Sequence, residues 1–361
     1  MATIPAVETW PVRRNQIKAP FSTPAGVEKG GGMSGGLQKR RQAKRLEKKE
    51  AENTPMHLLI PHALSEDEAA RAPLRTLQLP RLQALLQKLA PQKLLQLPDH
   101  SPTSAHDQLL AAARGLDPQA PAWAALRAHE LQLPGAGTEA WAYLTPVHWE
   151  VGQARVSLRD PQELDLSAEE SRALLAAMQP FFDEDGLTLH FEQPQRWLVS
   201  GEPLRGLVSA PVERVIGRDV AAWLPASPLL RRLQNEMQML LYTHAVTEAR
   251  DARRALSVNA FWLSGCGALA VPPAPAQTLT TLDALMQPAV RGDWAAWART
   301  WQRLDEQLAP LQAALDARQD VTLTLCSELL ARRYTPAPRS AWQSLVQRFR
   351  PVQPSEILFL S

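Results

Sequence analysis

The stretch from Asn235 to Gly267, NEMQMLLYTHAVTEARDARRALSVNAFWLSGCG, constrains the fold more than any other part of the chain. Before and within it, Leu229, Leu233, Met237, Leu240 and Leu241 recur at helical spacing. Ser227 and Pro228 supply a cap and a first turn for that helix. A second helix follows, and Val258 to Ser264 reads as a strand of buried character that ends in the turn residues Gly265-Cys266-Gly267. A helix–helix–strand–turn unit excludes an all-helical protein. Within its apolar frame stand Asn235, His244, Arg250, Asn259 and Ser264. Polar groups so placed either hydrogen-bond within a core or bind an anion.

The rest of the body alternates in the same way. Met56 to Ile60 is a short apolar strand stopped by Pro61, and helices are expected over 80–90, from Ser104 through 116, and over 121–131. Pro134-Gly135-Ala136-Gly137 marks a boundary. Strands are expected over 140–149 and 154–158 around a Gly152-Gln153 turn, then over 187–191 and 196–200. Ser167 and Glu170 form a capping box that opens a helix to about 182. After the linker that begins at Val271, Asp293 caps a helix carrying Trp294, Trp297, Trp301, Leu304 and Leu308 on one stripe, a spacing that packing requires. A strand over 321–326 and a helix over 339–349 complete the pattern. The expected class is mixed α/β, a central mixed sheet flanked by helices. Four segments follow: 1–55, a basic tail; 56–133, helical with some α/β character; 134–270, the most enzyme-like module; and 271–361, helical with a late strand.

Charge separates the tail from the body. Residues 1–55 hold six of the eight lysines, five arginines and five glutamates, a net of +6, which leaves −4 for the remainder of a chain with net +2. The tail's glycines and its charged run from Gln38 to Glu52 are expected to be disordered, or else to mark a gene start set upstream of the true one at Met56 or Met33. A basic arm for nucleic acid is a third reading. The body offers no clustered positive face, so nucleic acid is not its expected partner. No apolar run approaches the roughly 20 residues needed to cross a bilayer. Cys266 and Cys326, without a CxxC, read as reduced apolar residues of a cytoplasmic protein.

The Asn235–Gly267 run resembles the "L…HPVN…R…G…PAN…WLxGxG" signature in the middle domain of archaeal-type cofactor-independent phosphoglycerate mutases. Thr247 stands where that pattern has Asn, Ala245 where it has Pro, and Ser257-Val258-Asn259 in place of Pro-Ala-Asn. Upstream, the Asp165 to Glu170 run, Phe181-Phe182, Arg196 to Val199, Gly217-Arg218-Asp219 and Trp223-Leu224-Pro225 follow the same order. Over nearly all of 56–361 the chain looks more similar to the RpfE type of bacterial regulatory protein, through QNEMQMLLYTH at Gln234–His244 and NAFWLSGCG at Asn259–Gly267. The mutase resemblance implies a Ser or Thr nucleophile between two divalent metals held by Asp and His. Here the first strand ends Ile60-Pro61-His62 without an Asp, and His244 is the last histidine. No metal ligand set and no cofactor are therefore expected, and no catalytic residue is assigned.

What the resemblance leaves is a substrate side. Arg205, Arg214 and Arg218 lie in one loop-rich stretch, and guanidinium forks suit phosphate or carboxylate. The expected site is an anion held where these arginines approach the His244–Arg250 turn and the Ser264–Gly267 loop, with Asn235 and Asn259 beside it. Each residue also has a plain structural reading: a solvated arginine, a helix-ending His244 favoured by the helix dipole, an Asn259 amide bound to nearby backbone. The expected function is a regulatory or ligand-sensing protein for a phosphorylated or carboxylated small molecule, a catalytically degenerate relative of the mutases. The alternatives are an active mutase and an interaction protein without a small ligand.

Overall fold

The computed structural model describes residues 56–271, 279–336 and 352–360. The tail 1–55, nearly all of the linker after Val271 and the helix expected over 339–349 lie outside the described residues. The fold is mixed α/β, with helices on both faces of mixed and antiparallel sheets.

The first sheet has five strands in the order β2 (Leu89–Gln96), β11 (Leu330–Pro336), β10 (Val321–Cys326), β1 (Met56–Ile60) and β9 (Leu279–Thr281). Strand β1 runs parallel to β10 and β9, whereas β11 is antiparallel to both β10 and β2. Alternation along β1 assigns the faces. Leu58 and Ile60 join Leu323, Leu325 and the tryptophan stripe on one side, and Leu59 joins Ala105, Cys326 and Ala331 on the other. Trp297 and Trp301 are fully buried, in edge-to-face contact with centroids 6.2 Å apart. Asp305, on the same Trp294–Gln307 helix, accepts from the backbone N–H groups of Arg81 (3.0 Å) and Leu82 (2.8 Å). Its carboxylate thus caps the first turn of the Pro80–Lys88 helix from outside, where free N–H groups and the helix dipole both favour an anion.

The second sheet is antiparallel, in the order β6 (Thr188–Gln193), β7 (Arg196–Ser200), β3 (Trp141–Val147) and β8 (Ala260–Gly267). Ala142, Leu144, Trp197 and Val199 pack on one face, toward the Ala168–Glu184 and Pro228–Tyr242 helices. Trp141 and Leu198 meet the alanines of the Trp123–Glu130 helix on the other. A small hairpin of β4 (Trp149–Val151) and β5 (Val156–Leu158) covers a third cluster with Val215, Val220 and Trp262.

Several local expectations meet their residues. Ser167 and Glu170 form the reciprocal capping box, and Ser227 and Asp293 cap their helices. Others are corrected. The 154–158 strand pairs with Trp149–Val151 in a sheet of its own, not with the main run of β3. Residues 89–96 and 330–336 are strands that sequence patterning missed. Pro91 interrupts the first, which is tolerated because β2 is an edge strand. Ser264 to Gly267, expected as a loop, lie within β8. Gly265, at φ +60°, is required by close approach: a Cβ there would sit 3.1 Å from both Trp123 Cβ and Tyr143 Cδ2.

Candidate functional site

The three parallel strands β9, β1 and β10 end at the same edge of their sheet, and beyond their carboxyl ends lie Asp283, His62 and Glu328. That edge is where open α/β sheets place ligands. A recess of about 230 Å³ opens there, lined by all three together with Ser104, His106, Asp107, Glu213 and Arg214. Glu328 sits at the tip of the β10–β11 hairpin, whose turn is fixed by the Ser327 hydroxyl accepting from the N–H groups of Leu329 and Leu330. The Glu328 carbonyl in turn accepts from Ala105 N–H at 2.8 Å.

Two arginines from the stretch between β7 and the Pro228–Tyr242 helix reach this tip. Arg218 donates to both Glu328 carboxylate oxygens, at 2.8 and 2.6 Å, and Arg214 Nη1 lies 2.7 Å from Oε1. Both guanidiniums lie near the Trp223 ring, Arg214 at 4.9 Å and Arg218 at 5.8 Å from its centroid. Arg214 is 2% exposed. Its Nη2 donates to the carbonyls of Asp99 (3.2 Å) and Ser101 (2.7 Å), but neither Nε nor Nη1 has an aligned acceptor. The contact between Nη1 and Glu328 is an ion pair off the N–H axis. Burial lowers the Arg214 pKa, as it must for a cation removed from water.

Burial shifts three titratable groups around the arginines, His62, His106 and Glu213, toward their neutral forms. His62, at φ +51°, packs against His106 with ring centroids 5.3 Å apart. Burial, then His106, Arg214 and Arg218, push the His62 imidazole down to about 3. His106 is lowered by burial despite Asp107 and Glu328, and its Nδ1 lies 2.9 Å from Ser104 Oγ. The Ser104 hydroxyl is also 2.9 Å from Asp107 Oδ2. Glu213 lines this recess and two adjoining ones, and burial raises its carboxyl, with Asp107 adding to the shift. A protonated carboxyl donates a hydrogen bond where a carboxylate only accepts.

The residues expected from sequence are distributed unevenly. Arg214 and Arg218 meet at Glu328. Ser264 lines a neighbouring recess of about 360 Å³ with Glu213. Arg205 is exposed and bound to Glu202 and to the Thr138 carbonyl. Asn235 is on the exposed face of its helix. His244 does not end that helix. It caps the next one, Ala245–Ala252, by accepting from Val246 N–H at 3.2 Å. Arg250 is buried with Glu170, and Asn259 both accepts from and donates to the Trp149 backbone, at 2.7 and 2.9 Å. Cys266 and Cys326 are free and buried, with thiols pushed up by burial to about 11 and about 12. Sequence reasoning missed Glu213 and Glu328 and gave His62 no role. The residues just past strands 56–60 and 321–326 were the available signal for two of the three.

The donor set does not fit a pair of metal ions. Glu328 is engaged by two arginines, the field at His62 is that of cations, and among the described residues no three His, Cys, Asp or Glu side chains cluster to hold an ion. Among the described residues, no helix is long and apolar enough to cross a membrane.

No family model matches the sequence, and no curated protein does. Among solved structures, the chain is similar to a cofactor-independent phosphoglycerate mutase from Thermoplasma acidophilum, at 13% identity and a TM-score of 0.34, over 78% of this chain and 89% of that one. It is also similar to the PH0037 protein from Pyrococcus horikoshii, at 11% identity and a TM-score of 0.41, over 79% and 88%.

Proposed function

We propose that the chain is a regulatory or ligand-sensing protein that takes a phosphorylated or carboxylated small molecule in the recess between Arg214 and His62. The observation that carries this reading is a guanidinium almost wholly buried at the recess with two N–H groups lacking an aligned acceptor. Leaving such groups unmade is costly, and an anion oxygen would satisfy them with charge-assisted bonds. Four carboxyl groups, Asp107, Glu213, Asp283 and Glu328, line the recess with Arg214 and offset that demand in part. Glu328 is shared between two arginines, Asp107 is beside the Ser104 hydroxyl, and Glu213 is biased toward its neutral form. The look of an RpfE-type regulator, and of a mutase that has lost its metal ligands, supports a sensing role without turnover.

Calorimetric titration of the full chain with inorganic phosphate, 3-phosphoglycerate and acetate tests the reading. Saturable binding of an anion that is lost in Arg214→Met supports it. Absence of binding by all three, or binding that Arg214→Met leaves intact, refutes it. Conversion of 3- to 2-phosphoglycerate in a coupled assay, abolished by chelation, would instead establish an active mutase.

A further inference from the structure

We infer that the Arg214 recess and the larger one beside Tyr143 are two halves of one site, and that its ligand is an organic anion with an aromatic body. The inference rests on the anion reading above and adds the class of molecule. Asp107, Leu110, Pro211 and Glu213 line both recesses, so the two abut across these four residues. They are unlike in character. The Arg214 half holds the buried guanidinium, whose Nε has no acceptor and whose Nη1 has only the off-axis Glu328 oxygen. The Tyr143 half, about 360 Å³, is walled by Leu110, Trp123, Tyr143, Pro211 and Val212, with Ser264 and Thr145 as neutral polar groups.

The cation in this second half is already paired. Arg196 donates to both oxygens of Glu192, at 2.9 and 3.0 Å, and its guanidinium lies 5.1 Å from the Tyr143 ring centroid. It makes no further demand for an anion. The Tyr143 phenol donates to the Trp123 backbone carbonyl at 3.2 Å, which ties the Tyr143 ring to the start of the Trp123–Glu130 helix. Gly265 presents no side chain between them, because Trp123 and Tyr143 approach its backbone too closely for one. The result is a set of fixed apolar walls with few polar groups, the usual make-up of a site for the body of an organic ligand. A three-carbon acid placed on Arg214 would leave that half empty.

The experiment compares inorganic phosphate, phenyl phosphate and 1-naphthyl phosphate by calorimetry on the full chain. Burial of the aromatic body is expected to tighten binding about ten- to hundredfold over inorganic phosphate. Filling the second half, by Val212→Trp or, if that variant does not fold, Ser264→Leu, should remove this gain and leave inorganic phosphate unaffected. Equal affinity for all three phosphates overturns the inference and leaves the anion reading standing. So does an aryl gain that survives a folded filling variant. If none of the phosphates binds, the anion reading falls and the inference with it.

Discussion

Arg214 and Arg250 are buried alike, 2% and 1% exposed, and they are used differently. Every donor group of Arg250 is occupied. Nε bonds the Leu256 carbonyl at 2.8 Å, Nη1 the Glu170 carboxylate at 2.8 Å, and Nη2 the Leu164 carbonyl. The acceptors come from two stretches, 164–170 and the residues just after the helix of Arg250 itself. Burial pushes the Glu170 carboxyl up, but the Ser167 N–H and the Arg253 and Arg250 guanidiniums outweigh it and hold it at about 2. Arg214 has two backbone carbonyls at Nη2 and an off-axis carboxylate oxygen at Nη1, its Nε has no acceptor, and the residue lines a recess. Burial of a guanidinium therefore does not mark a binding site. What distinguishes the two is the set of donors that the fold leaves over.

The largest expected effect separates them by stability. Arg250→Met removes one partner of a satisfied buried pair and should cost about 3–5 kcal/mol, read from the urea midpoint. Arg214→Met should cost clearly less, because Arg218 still pairs Glu328 once Arg214 is gone and Nε has no acceptor to lose. Equal losses would end the distinction. Binding should divide them in the opposite sense. Arg214→Met should weaken phosphate binding by about ten- to hundredfold, the worth of a charged hydrogen bond, whereas any folded conservative variant at Arg250 should bind normally.

Acid sensitivity sharpens the comparison further, because the field that includes Arg214 acts on His62. With a folded value of about 3 against 6.5, His62 stays neutral between those pH values while the unfolded chain takes up a proton. The unfolded state binds more protons there, so this contribution to stability rises with pH and is lost as pH falls below 6.5. Glu213 opposes it: its raised carboxyl keeps a proton that the unfolded chain releases, which favours folding as pH falls toward 4.5. His62→Asn, a residue that tolerates the positive φ, should therefore lose less stability than the natural chain between pH 7 and pH 5. An unchanged or steeper loss would show that His62 is not held neutral. The smallest effect lies on the Arg250 side, where Ser167→Ala removes half of the capping box and should cost about 1 kcal/mol by the same denaturation measurement.

Much of the fold was legible because its signals are local. Ser167 with Glu170, Ser227 before Pro228, Asp293 before the tryptophan stripe and the apolar run 321–326 each declare themselves within a few residues. Strand β11 did not, since Arg332 and Arg333 break its apolar pattern, and β9 is three residues long. The site suffered most. Its frame is a parallel pairing of Met56–Ile60 with Val321–Cys326, two segments at opposite ends of the body. Arg214 and Arg218 were legible as chemistry. The Glu328 that they clasp was not, because the apolar pattern marks strand 321–326 but not its partner 330–336, and only the pair makes a hairpin tip.

Strand β2 closes one edge of the five-stranded sheet, and its Pro91 and Lys93 bear on what that edge can accept. A bare edge is a row of open N–H and C=O groups, ready to pair with a strand from another copy. Proline removes one N–H from that row, and a strand drawn up alongside would have to accommodate the Lys93 charge. The irregularity that hid β2 from sequence patterning therefore blunts this edge against stacking into larger assemblies.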